Sequence, residues 1–267
     1  MKLIYSFLLV LASLSIFAQE ESKLTFTGIK IFVTDLQVAE DFYANVLGLE
    51  VSDRAANEVE LKTNTWPITL ALAKERSAPG YPNNARTGLS FQTYKLLPQI
   101  DRLRENGVKL YDSLLSRNGV GISIPFEDPF GNVMTIIEVQ IREVEAFEGV
   151  RIYNTGVTIA NMDAATQFYE GLLGFEEWSR NYLPDALPLK HSDGSFAFMI
   201  HYKDGLKNNA NAYGQNSQIV LMMSVPNLGG LRSLLESREI QFDLKKDRLI
   251  VQDQERNFIE IRKNSTL

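Results

Sequence analysis

Residues 33–54 read VTDLQVAEDFYANVLGLEVSDR, and residues 159–180 read IANMDAATQFYEGLLGFEEWSR. Aligned without a gap, Ala39, Phe42, Tyr43, Leu47, Gly48, Glu50 and Arg54 meet Ala165, Phe168, Tyr169, Leu173, Gly174, Glu176 and Arg180. A repeat of this kind sets the architecture before any local propensity is weighed. Each copy has the same grammar. An alternating strand, Gly28 to Val33 or Asn154 to Ile159, runs into a cap candidate at Thr34/Asp35 or Asn161. Apolar residues then recur at helical spacing, Leu36, Ala39, Tyr43, Val46 and Leu47 in one copy and Met162, Ala165, Tyr169, Leu172 and Leu173 in the other. Gly48 and Gly174 fall where a helix needs a left-handed residue after its last turn, a conformation glycine adopts without a Cβ clash. Short strands are expected to follow, with a hairpin turn at Asp193-Gly194.

A second kind of unit follows each copy. Thr87 to Val139 and Ser217 to Arg262 each open with a strand, continue through a helix at about 97–106 or about 227–237, and close on a hairpin. The hairpins end in Asp128-Pro-Phe-Gly-Asn132 and Asp253-Gln-Glu-Arg-Asn257. The chain therefore reads as α+β, four β-α-β-β-β units paired into two domains, residues 24–141 and 151–263, with an acidic linker over 142–150.

The pattern VTDL…A..FY…LGL followed by DPFGNVMTI resembles the vicinal-oxygen-chelate superfamily, which includes glyoxalase I, bleomycin-resistance proteins and extradiol dioxygenases. The resemblance covers nearly all of the chain after its first segment. It implies that paired units form a curved mixed sheet with helices outside and a concave cavity. One fold hosts many reactions, so the resemblance specifies architecture and leaves chemistry to the residues.

Composition narrows the chemistry further. The chain has 267 residues, with 27 Lys and Arg against 33 Asp and Glu, a net charge of −6 that offers no basic stripe for nucleic acid. There is no cysteine, which excludes disulfides, thiolate catalysis and Cys-rich zinc sites, and there are only two histidines. At the start, Lys2 precedes an apolar run from Leu3 to Ala18 and then Gln19, Glu20 and Glu21. A basic start, a short apolar core and a small residue before polar sequence describe a secretory signal peptide over 1–18, too short for a stable membrane anchor. The expectation is a secreted or periplasmic protein, soluble after cleavage and compatible with a homodimer.

Strand alternation assigns faces, because successive side chains point to opposite sides of a sheet. In the second domain one face collects Asn154, Met199, His201, Gln218, Met222, Phe258, Glu260 and Arg262. The same operation on the first domain yields mostly glycine and small residues, with Lys30 as its single charge, so that domain reads as scaffold. Glu260 among Phe258, Met222 and Met199 is the expected catalytic carboxylate: burial raises a carboxyl pKa and would suit it to general base work, with His201 as partner acid. Asn154, Gln218, Arg262, Met199, Met222, Phe258 and Trp178 are the expected ligand contacts, Trp178 by stacking or by packing at the rim. The cluster Lys245, Lys246 and Arg248, offset by Asp243 and Asp247, reads as a solvated hairpin.

Carried over from the resemblance, the metal positions are Gly28, Gly88 and Thr135 in the first domain and Asn154, Gln218 and Glu260 in the second, with His201 nearby. An extradiol iron site needs two histidines and a carboxylate, and amides stand where the imidazoles would be. The leading expectation is binding of a small molecule in the second domain's cavity without an intact metal triad and with no cofactor. The alternatives are a lyase, isomerase or glyoxalase-like enzyme built on Glu260, with a divalent metal on Gln218, Glu260 and His201, and a non-catalytic interaction module.

Overall fold

The structure is a computed structural model that describes residues 24–63, 66–74, 87–117, 120–140, 145–190, 197–206, 212–215 and 218–264. The expected signal peptide, His191, the Asp193-Gly194 turn and positions 142–144 of the linker lie outside the described residues.

Four units are present, in chain order. The first is β1 (Thr25–Val33), α1 (Leu36–Glu40, continued by a π-helical turn over Asp41–Val46), β2 (Glu50–Arg54), β3 (Glu58–Lys62) and β4 (Ile68–Leu72). The second is β5 (Thr87–Thr93), α2 (Leu96–Glu105), β6 (Ser116–Arg117), β7 (Gly121–Glu127) and β8 (Val133–Val139). The third is β9 (Val150–Ile159), α3 (Met162–Tyr169), β10 (Glu176–Glu177), β11 (Ala186–Lys190) and β12 (Ala197–Tyr202). The fourth is β13 (Gln218–Val225), α4 (Leu228–Ser237), β14 (Phe242–Lys245), β15 (Arg248–Gln252) and β16 (Phe258–Lys263).

The local signals operate as expected. Asp35 accepts from the backbone N–H groups of Gln37 and Val38, and Asn161 from that of Ala164, so both helix starts are capped by side chains. Gly48 and Gly174 adopt φ of 87° and 73° beyond the helices they end. Helices this short are marginal in water, so tertiary burial holds them: Ala39, Phe42, Tyr43 and Leu47 of the first copy and Ala165, Phe168, Tyr169 and Leu173 of the second are all buried.

The pairing of units departs from the expected one. Strands form two eight-stranded sheets, in the orders β14-β15-β16-β13-β1-β4-β3-β2 and β10-β11-β12-β9-β5-β8-β7-β6. The first unit shares a sheet with the fourth, through antiparallel β1 and β13, and the second with the third, through β5 and β9. Consecutive units instead meet on the helix side. Tyr43 of α1 donates its hydroxyl to Asp128 at 2.8 Å, Phe42 packs against Phe126 of β7, and Tyr169 of α3 donates to Asp253 at 3.0 Å. Residues 24–141 and 151–263 are thus each knit through their helices, but neither owns a sheet, and each concave face draws on both. The reason is that every unit's strands carry the same alternation, so pattern alone cannot say which first strand lies beside which.

Both Asp-x-x-x-Asn hairpins share one set of contacts. Asp128 and Asp253 each accept from the backbone N–H and the side-chain amide of Asn132 or Asn257 while receiving a tyrosine hydroxyl. Burial pushes Asp253 up to about 6 despite these donors, with neighbouring Glu255 adding to the rise.

Candidate functional site

On β16, Ile259 and Ile261 enter the core, while Phe258, Glu260 and Arg262 face the concave side of the first sheet. Glu260 is fully buried. Its Oε1 accepts from Arg262 Nε at 2.6 Å and Arg248 Nη1 at 3.0 Å, and its Oε2 from Lys30 Nζ at 3.1 Å and from the Tyr213 hydroxyl. Lys30, 1% exposed, also donates to Glu58 at 3.1 Å. Arg248 and Arg262 are direct cross-strand partners, a placement in which like charges repel; both donate to the same carboxylate oxygen, which offsets that repulsion.

This corrects three expectations. Lys30 is not an isolated charge on a scaffold domain; it sits against Glu260 because β1 and β13 are neighbours in one sheet. Arg248 is not part of a solvated hairpin, since alternation along β15 turns it toward Glu260. Glu260, expected to be a raised-pKa base, is held below the usual carboxylate range: burial pushes it up, but Lys30, the Tyr213 hydroxyl, Arg262 and Arg248 together outweigh burial. A carboxylate so stabilised, with four donors from its own chain, is poorly suited to taking a proton.

Tyr213 belongs to a strap, residues 212–215, that crosses the concave face. Its ring lies edge-on to Phe32 at 5.2 Å and to Phe258 at 5.9 Å. These rings form a small apolar cluster with Ala71, Val220 and Ile250, separate from the main core. Burial, the charge of Glu260 and their hydrogen bond raise the Tyr213 pKa, so its hydroxyl is the donor. Gln218, expected to face a ligand, instead holds the strap: it accepts from Gly214 N–H at 2.8 Å and donates to the Ala212 carbonyl at 3.2 Å. The Lys74 N–H donates to the Gly214 carbonyl at 3.1 Å, fixing the other side. Next to the strap, a cleft of about 530 Å³ is lined by Tyr213, Ile250, Gln252, Phe258, Phe242 and Glu236 among others.

The remaining expected residues are elsewhere. Met222 is half-buried beside Glu260, its register partner on β16. Asn154, Met199 and His201 lie on the second sheet, with Asn154 opposite Ser90 on β5. They therefore do not share a cavity face with Glu260. On the second sheet Gly88 is exposed, with space around it for a Cβ among the described residues. His201 is exposed there, and desolvation by its surroundings lowers its pKa from the ordinary imidazole value, an effect that solvent limits. Trp178, 63% exposed, follows the edge strand β10 of the second sheet.

A divalent cation does not fit this donor set. Of the implied positions on the first sheet, Gly28 has no side chain, Gln218 is spent on the strap, and Glu260 is already surrounded by three cationic side chains. At Gly28 a side chain is barred outright, because a Cβ would lie 2.7 Å from the Pro67 carbonyl oxygen. Among the described residues no three His, Asp or Glu side chains converge on a point. Lys30 thus stands as the cation between Glu58 and Glu260.

Residues 25–136 match the model of the Glyoxalase/Bleomycin resistance protein/Dioxygenase superfamily. No curated protein matches the chain. Among solved structures, the chain is similar to glyoxalase I from Zea mays at 11% identity and a TM-score of 0.64, covering 90% of this chain and 92% of that one. It is also similar to the cppA protein from Streptococcus pneumoniae at 12% identity and a TM-score of 0.52, covering 90% and 98%. At these identities the likeness establishes the fold, and the functional reading rests on the residues.

Proposed function

Taking the vicinal-oxygen-chelate fold as given, we propose that this is a small-molecule-binding protein whose seat is the concave face of the first sheet, and that it binds without a divalent metal. The observation that carries this reading is the juxtaposition of an ionised, fully buried Glu260 with an open, partly apolar cleft, the two separated by the ring of Tyr213. Buried charges are costly to assemble, and a stable fold alone does not require them. A fixed carboxylate with cations behind it, at the end of an aromatic slot, orients a polar group on a ligand whose body lies on Phe32, Phe258 and Ile250. The basic start and apolar run of residues 2–18 support the further reading that the protein is exported.

The test is a thermal-shift survey of small carboxylates, aldehydes and hydroxylated aromatics, with chelator present. A ligand at a hundred times its Kd stabilises the native state by about 2.7 kcal/mol. Gln252→Trp, which fills the cleft from its half-buried wall, should abolish the shift while circular dichroism remains native. Stabilisation that required added divalent metal, or that survived Gln252→Trp unchanged, would place the seat elsewhere.

A further inference from the structure

The strap presents its one aromatic side chain to Glu260, a fully buried carboxylate already held by three cationic side chains. A plug that only excluded water would need no hydroxyl, and Phe32, Phe258 and Ile250 already supply an apolar wall. Tyr213 instead places a ring between two phenylalanines and a phenolic proton on Glu260. Among the described residues, the strap's hydrogen bonds to its surroundings include Gly214 and Ala212 to Gln218 and Lys74 to Gly214, each modest in net worth because water replaces it when broken. Tyr213 itself lines the adjoining cleft.

From this arrangement we infer that Tyr213 is an intramolecular occupant of the ligand seat, and that the seat exchanges it for a small monocyclic phenol. The inference rests on the proposed binding function and adds to it both a ligand class and a built-in competitor. Recognition is specified by three features: a six-membered ring held edge-on by Phe32 and Phe258, a hydroxyl that can donate, and an ionised acceptor held in place by Lys30, Arg248 and Arg262. The tethered tyrosine competes at a high effective concentration, so a free phenol binds the native chain weakly until the strap is displaced.

The experiment uses the full chain, with p-cresol, which is the tyrosine side chain itself, and p-methylanisole, the same ring with its donor methylated. Calorimetry should find that Tyr213→Ala binds p-cresol at least about tenfold more tightly than the unaltered protein does. In that variant p-methylanisole should bind at least about tenfold more weakly than p-cresol, because it cannot fill the fourth donor position on Glu260 that the Tyr213 hydroxyl occupies. Equal affinity of p-cresol for both proteins would show that Tyr213 does not occupy the seat. Equal affinity of both probes for Tyr213→Ala would show an apolar hole without hydroxyl recognition. Should Tyr213→Ala fail to fold, Tyr213→Phe, which keeps the ring and loses the donor, must still bind p-cresol more tightly than the unaltered chain does. A different ligand that binds the unaltered protein with affinity indifferent to both Tyr213 variants would overturn this inference while leaving the binding function intact.

Discussion

Lys30 and Glu260 stand 230 positions apart in the chain and form a buried ion pair at 3.1 Å, each less than 2% exposed. The pair joins the first strand of the first unit to the last strand of the fourth, so it exists only when the two ends of the repeat share a sheet. Removing one partner leaves a buried charge short of a counter-ion. Lys30→Met should cost about 3 kcal/mol in urea unfolding, near the low end for a broken buried pair because Arg248 and Arg262 remain on the carboxylate. A loss below about 1 kcal/mol would mean that the arginines alone satisfy Glu260.

Acid should weaken the same cluster. The folded-state pKa of Glu260 is depressed, so its stabilising contribution is present above the unfolded value of about 4.3 and is lost as pH falls through the folded value. The stability difference between the unaltered protein and Glu260→Gln should shrink steadily as pH drops below about 4.5. A difference that stayed constant from neutral pH to pH ~3 would contradict an ionised, cation-paired Glu260.

Asp253 has the opposite sign. Its folded pKa is raised to about 6, chiefly by burial, so the folded state holds a proton that the unfolded state has released. Stability from this group is fully present below about pH 4 and declines as pH rises through about 6, by about 3 kcal/mol in all. Urea titrations from pH 4 to 7 should show the decline in the unaltered protein and its absence in Asp253→Asn. Parallel curves for the two would remove Asp253 as its source.

The two tyrosine–aspartate contacts knit each half of the chain through its helices. Tyr43→Phe and Tyr169→Phe should each cost about 2 kcal/mol, the scale of a hydrogen bond to a charged acceptor that is left buried. Chemical denaturation measures both. Loss of less than about 0.5 kcal/mol would mean that the asparagine donors alone satisfy each aspartate.

Because Lys30 occupies the space between Glu58 and Glu260 as their cation, divalent metal should add nothing to the fold. Exhaustive treatment with a chelator, followed by zinc, nickel or manganese in excess, should leave the thermal midpoint unchanged at every step. Stoichiometric retention of a metal through dialysis, seen by elemental analysis, would show that the ion cluster rearranges to admit one.

Much of the architecture was legible because it is written in short-range periods. The Phe-Tyr and Leu-Gly repeat located α1 and α3, Asp35 and Asn161 capped them, and Gly48 and Gly174 ended them in left-handed backbone. Alternation also placed Phe258, Glu260 and Arg262 correctly on one face, since the side-chain period of a strand is a local property. The other partners of Glu260 were hidden for three different reasons. Lys30 required knowing that β1 adjoins β13; Arg248 was masked by the charged turn beside it; Tyr213 lies in a connection with no period to read.

The sequence by itself determined that four β-α-β-β-β units would form, where the two repeat helices α1 and α3 start and stop, and which residues of each strand share a face. Only the tertiary structure decided which unit lies beside which, and so brought Lys30, Glu58, Tyr213 and Arg248 to Glu260 while leaving Asn154 and His201 on the other sheet. Helix caps and strand alternation are settled among residues a few positions apart. The neighbour of a strand is settled by competition among distant edges of nearly identical pattern, and the charges that meet there follow from the winner.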